Sequence, residues 1–170
     1  MKKILAAALA MVLCLCMGAA AAEGSGNGET AVFATTQAFM EMLDEAEIDY
    51  VYRGLDQDGD EHIAAADPDK NISYTIHYYF EDDLQHTAIF VWNIITFDPA
   101  DTLRVMHLCS SLNYDYNYTC WYVDETDNTV TCSMNLIYRD ENVDQVVTEA
   151  TLYLMRIIES AYPSLSVYDK

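Results

Sequence analysis

Residues 72–97, ISYTIHYYFEDDLQHTAIFVWNIITF, decide the fold class. From Ile72 to Phe80 the pattern alternates, with Ile72, Tyr74, Ile76, Tyr78 and Phe80 on one face, which predicts a strand. From Thr87 to Phe97 both faces are apolar, at Ile89, Phe90, Val91, Trp92, Ile94 and Ile95, which suits a central strand. Glu81-Asp82-Asp83 is the turn between them.

Upstream, Ile48, Tyr50, Val51 and Tyr52 place a strand at 48–54, and His62 to Ala66 forms a short one. Asp56-Gln57-Asp58-Gly59-Asp60 and Asp67-Pro68-Asp69-Lys70-Asn71 are the turns that follow them, rich in residues that tolerate tight backbone. Val32, Thr36, Phe39, Met40, Leu43 and Ala46 recur at helical spacing and predict a helix over 31–47. Downstream, Asp98-Pro99-Ala100-Asp101 opens a second helix, because Asp98 caps free amides and Pro99 sits where a missing N–H is harmless. That helix carries Leu103, Met106, Cys109 or Ser110, and Leu112, and ends near Asn113.

Tyr116–Val123 and Thr129–Tyr138 then predict a hairpin across residues 124–128, with Val130, Cys132, Met134, Leu136 and Tyr138 on one face. A last helix starts at Asn142, with Gln145 reaching back in a variant of the capping box. Its stripe runs through Val143, Val146, Val147, Ala150, Leu154, Ile157, Ile158 and Ala161, and Pro163 ends it. The expected class is α+β: helix, three to four antiparallel strands, helix, two-strand hairpin, helix, with helices packed on the sheet.

Ahead of this domain, expected at 31–170, residues 1–22 read as a secretory signal. Lys2 and Lys3 precede the apolar run Ile4–Met17, and Ala20-x-Ala22 offers small residues before Glu23. Residues 23–30, with three glycines, read as a flexible linker. Competing readings are an uncleaved membrane anchor, since the apolar run approaches spanning length, and a lipidated cysteine. The latter wants a small residue before the Cys, whereas Leu13 precedes Cys14 and Leu15 precedes Cys16. The expected location is outside the cell or in the envelope.

The 170 residues hold 28 Asp and Glu against 8 Lys and Arg, a net charge of −20, with 52% hydrophobic residues and 13 tyrosines. That apolar content implies a packed core. The acidity excludes a nucleic-acid binder, because phosphates would be repelled, and favours cationic or Ca²⁺-bearing partners, or simply a solvated surface.

No catalytic motif appears, and no catalytic, cofactor-binding or metal residue is assigned. Asp56–Asp60 resembles a calcium loop, but its glycine falls at the fourth position rather than the sixth, so a hairpin turn is the better reading. His62, His77, His86 and His107 lack metal-ligand spacing, although His62, His77 and His86 lie on successive strands and could approach one another. Cys109, Cys120 and Cys132 follow the leader without a C-x-x-C pair. Centring the hairpin on Thr126 sets Cys120 opposite Cys132 as a candidate disulfide; three reduced cysteines are the alternative. Tyr74, Tyr78, Tyr116, Tyr118, Trp121 and Tyr122 are candidate partner-binding aromatics on an open sheet face, set against aromatic pairing that only stabilises the sheet.

The element order resembles the YbjN family, a bacterial family described as sensory-transduction regulators. Thr36 to Tyr52 looks like its opening helix running into a tyrosine-bearing strand, and Asp58-Gly59-Asp60 is similar to its first turn. Leu112-Asn113-Tyr114, Tyr122-Val123-Asp124 and Asn128-Thr129-Val130 are similar to its helix end, aromatic strand and returning strand. The resemblance implies a fold like that of type III secretion chaperones, and with it a non-enzymatic binding module. It also implies a dimer, and a protein or peptide partner, or the chain's own copy, as what is held. The signal segment departs from a cytosolic chaperone's role. The alternative is an exported metal-binding or hydrolytic protein, and a purely structural envelope component is a third reading.

Overall fold

The computed structural model describes residues 30–67, 74–139 and 142–170. The leader, the linker as far as Glu29, the 67–71 turn beyond Asp67, and Ile72 at the start of the expected strand lie outside these residues. The described chain runs α1 (Ala34–Glu45), β1 (Tyr50–Leu55), β2 (Glu61–Asp67), β3 (Tyr74–Phe80), β4 (His86–Val91), a short 3₁₀ turn (Pro99–Asp101), α2 (Thr102–Asp115), β5 (Cys120–Asp124), β6 (Thr129–Ile137) and α3 (Val143–Leu165). All strand pairs are antiparallel, in the order β1-β2-β3-β4-β6-β5. The α+β expectation therefore stands: one six-stranded sheet with helices packed on it.

Strand parity decides what the helices cover. Ile76, Tyr78 and Phe80 of β3, Ile89 and Val91 of β4, Cys132 and Met134 of β6 and Trp121 of β5 join one buried cluster with Phe39, Leu43, Val105, Leu112, Leu154 and Ile158 from the helices. The Phe39 ring lies 4.9 Å from Tyr78 and 5.4 Å from Phe80. Each such ring stabilises the fold by roughly 2–3 kcal/mol through apolar area removed from water.

Two side chains tie the elements together. Phe33, at the N-cap of α1, has no capping side chain, and Glu61 of β2 supplies one from across the sheet. The fully buried Glu61 carboxylate accepts the N–H groups of Val32 (2.6 Å) and Phe33 (2.7 Å), and the Tyr52 hydroxyl donates to it as well. Asn113, in the last turn of α2, accepts from Trp121 N (2.7 Å) and donates to Trp121 O (2.8 Å), pinning the edge strand β5.

Asp98 caps as expected, accepting from Ala100 N at 3.0 Å. Other boundaries differ from the sequence reading. Strand β4 stops at Val91 rather than Phe97, because Asn93 turns to φ 55°, a left-handed conformation that breaks the pleat. Ile94, Ile95 and Phe97 stay buried, and the segment rejoins β6 through Ile94 N to Val130 O at 2.9 Å. Gln145 does not reach back to Asn142: it donates to Glu149 at 3.0 Å, while Asn142 Oδ1 accepts from Arg139 N at 2.9 Å. Helix α3 passes through Pro163 to Leu165, since a proline this close to the end removes few helical bonds.

Candidate binding face

On a sheet with helices on one side, alternate residues of every strand face away from them. The register links Val51, Ala64, His77, Phe90, Ser133 and Cys120 into one row across all six strands. A second row on the same side joins His62, Tyr79, Ala88 and Asn135. Among the described strand residues on this side, the only full charges are Arg53 and Asp124, one on each edge strand. In a chain of net charge −20, this is a neutral surface in an acidic envelope.

Its centre is aromatic. Tyr79, Phe90 and Trp92 stand at centroid separations of 5.7 Å (Tyr79–Phe90), 6.0 Å (Tyr79–Trp92) and 5.9 Å (Phe90–Trp92). His62 stacks on Tyr79 at 4.4 Å, with 12° between the planes, and His77 lies 4.0 Å from Trp92. Between these stacks, His62 Nε2 and His77 Nδ1 share a hydrogen bond of 2.9 Å. Trp92 and its neighbours shelter both imidazoles to below a tenth of their full exposure, at 7% and 8%.

Burial holds both imidazoles neutral. Desolvation, the neighbouring His62 and Arg53 lower His77 to about 4, and desolvation with Arg53 lowers His62 against the opposing pull of Asp56. Because the folded His77 binds its proton more weakly than an unfolded histidine, its contribution to stability is present above about pH 6.5 and is lost as pH falls towards 4. Stability from urea titration will decline across that window by about 2 kcal/mol, and His77→Gln will flatten the decline. An unchanged slope in the variant would contradict this assignment.

Most of the expected aromatics lie elsewhere. Tyr74, Tyr78 and Trp121 share parity with Ile76 and the core, and are 7%, 3% and 2% exposed, so they face the helices. Tyr116 is half-buried against the core, and Tyr118 is exposed beside Tyr153 of α3, with ring centres 6.1 Å apart. Tyr122 alone of that set occupies the helix-free face. The residues that do form its aromatic centre are His77 and Tyr79, at the opposite parity of β3, with His62 of β2, Phe90 of β4 and Trp92 just beyond β4.

The candidate disulfide is corrected by register. Cys120 pairs with Ser133 and Trp121 with Cys132, so the hairpin centres between Thr126 and Asp127. That half-residue shift puts Cys120 on the helix-free face and Cys132 in the core, and Cys109, Cys120 and Cys132 are all free. Burial pushes the Cys109 thiol up to about 11 and raises Cys132 as well, disfavouring thiolate. Alkylation of the native protein with peptide mapping will label Cys120, with Cys109 and Cys132 reacting only after unfolding. Native labelling of Cys132 would refute the register.

Of the strand histidines, His62 and His77 meet, and His86 stands apart. It bonds Asp83 and lies 3.9 Å from Glu81, beside a hollow of about 350 Å³ also lined by Thr87, Asn135, Leu136 and Ile137. Glu81, Asp83 and His86 can present three ligand atoms within 4.8 Å. Asp83 already accepts from Gln85 N and His86 N, so its own turn accounts for it. Likewise Asp56 Oδ1 accepts from the N–H groups of Asp58, Gly59 and Asp60 at 2.8, 3.0 and 3.1 Å, as a hairpin turn requires. His107 is exposed on α2. No helix among the described residues is long and apolar enough to cross a membrane.

No family model matches the chain, and no curated protein or solved structure matches it.

Proposed function

We propose that the chain is an exported, non-enzymatic binding module that holds a protein or peptide partner on its helix-free sheet face. The observation that carries this reading is the neutral row from Val51 to Cys120 with the Tyr79–Phe90–Trp92 cluster at its centre, in a chain otherwise crowded with acids. Half-exposed aromatic rings ringed by small and neutral side chains are what binding hot spots are made of. The same α+β architecture suits the YbjN resemblance, and the leader at 1–22 supplies the export.

The alternative, a metal-dependent or hydrolytic protein, draws its support from Glu81, Asp83 and His86. The binding reading is preferred because the side chains with chemical potential are otherwise engaged: His62 and His77 bond each other, and two of the free thiols are held protonated. The test is cross-linking from a photoreactive residue at position 92 in envelope extracts, against one at exposed Leu103 on α2. The reading expects discrete adducts from position 92 that vanish with Phe90→Asp. Adducts only from position 103 would overturn it.

A further inference from the structure

We infer that the occupant of this face is an extended peptide bearing Lys or Arg side chains, whose cationic groups seat against Tyr79, Phe90 and Trp92 and along the acidic turns beside them. The inference rests on the binding reading above and names its partner class. Three rings at nearly equal separations of 5.7–6.0 Å, with 86° between the planes of Tyr79 and Phe90, pack into one aromatic patch whose exposed faces attract cations. The two imidazoles beneath them share a hydrogen bond and add no charge that would repel it.

The surroundings decide the sign of the partner. The β1–β2 turn (Asp56, Asp58, Asp60) and the β3–β4 turn (Glu81, Asp82) lie at the same end of the sheet, and burial first, then the repulsion of these neighbouring carboxylates, raises the Asp60 carboxyl. Tyr79 stands two residues before Glu81, about 7 Å along the strand. A chain lying across the strands can reach both the rings and these acids, which a single small cation cannot. A second copy, or any polyanion, would set its own charge against a net −20. Arg53 on the edge strand β1, with an exposed side chain, is a rival cation whose charge is felt at Tyr79, His62 and His77, so the peptide's cations compete with it.

Three labelled peptides of about ten residues, alternating valine with lysine, glutamine or glutamate, test this by fluorescence anisotropy on the full chain. The lysine peptide should bind at least about tenfold more tightly than the glutamine peptide, weaken as salt rises from about 0.05 to 0.5 M, and shift the emission of Trp92. Trp92→Leu, at a 37% exposed position, should weaken it about tenfold, as should Asp58→Asn with Asp82→Asn, with unchanged far-ultraviolet circular dichroism. Equal binding of lysine and glutamine peptides would overturn the cationic inference and leave the binding face standing. Lysine binding indifferent to Trp92→Leu would reduce the effect to the chain's overall field and overturn the site. Binding of no peptide would overturn the cationic inference, and so would self-association through Phe90 that the lysine peptide fails to compete, which would leave the binding face standing with a second copy as its occupant.

Discussion

Trp121→Ala will destabilise the protein by about 4 kcal/mol, whereas Tyr122→Ala, one residue along, will change stability by less than about 1 kcal/mol. Trp121 is 2% exposed within the helix-covered core, and its indole N–H donates to Thr119 Oγ1 at 3.0 Å. Removing it leaves a large cavity and breaks that hydrogen bond, although the Thr119 hydroxyl keeps its bond to Tyr116 O at 3.2 Å. Tyr122 is 39% exposed on the other side of the same strand. Urea denaturation of the two variants measures the contrast. The reverse order would mean that β5 is shifted by one residue, since a one-residue slip exchanges every side chain between faces.

Glu61→Ala will lower stability by about 3 kcal/mol, with Glu61→Gln intermediate. The carboxylate is 0% exposed and accepts two main-chain N–H groups at the start of α1 and the Tyr52 hydroxyl. Alanine removes the acceptor that the two main-chain N–H groups and the Tyr52 hydroxyl share, and the positive end of α1 loses its counter-charge. Glutamine keeps one acceptor oxygen and removes the charge. Denaturation midpoints that barely move in the alanine variant would show that α1 is held by packing alone.

The element order and the core face were readable because periodicity reports local geometry. Val130, Cys132, Met134, Leu136 and Tyr138 were placed on one face, and the core takes that side of β6. The aromatic cluster of the helix-free face escapes a parity inference. Tyr74 and Tyr78 alternate in step with Ile76 and Phe80, and a face that carries those residues must be the one the helices bury. The partners of opposite parity, His77 and Tyr79, held the signal, and the two-faced apolarity of Phe90 and Trp92 completed it.

Other features depend on contacts between distant segments, which no local pattern encodes. Glu61 looks like one acid among 28 until α1 arrives 28 residues upstream to meet it. The Cys120–Cys132 pairing failed on half a residue of turn geometry, because Asn128 adopts φ 56° and closes the hairpin between Thr126 and Asp127. Asn93 ended β4 in the same way, through a left-handed residue within an apolar run.

The central claim is that the helix-free face of β2, β3 and β4 is where this chain meets its partner. Hydroxyl-radical footprinting of the protein, alone and in envelope extract, addresses it most directly. The account predicts that Trp92, Phe90 and Tyr79 lose reactivity in the extract while Tyr114, 85% exposed on α2, keeps its own. Protection of Tyr114 with Trp92 unchanged would contradict it.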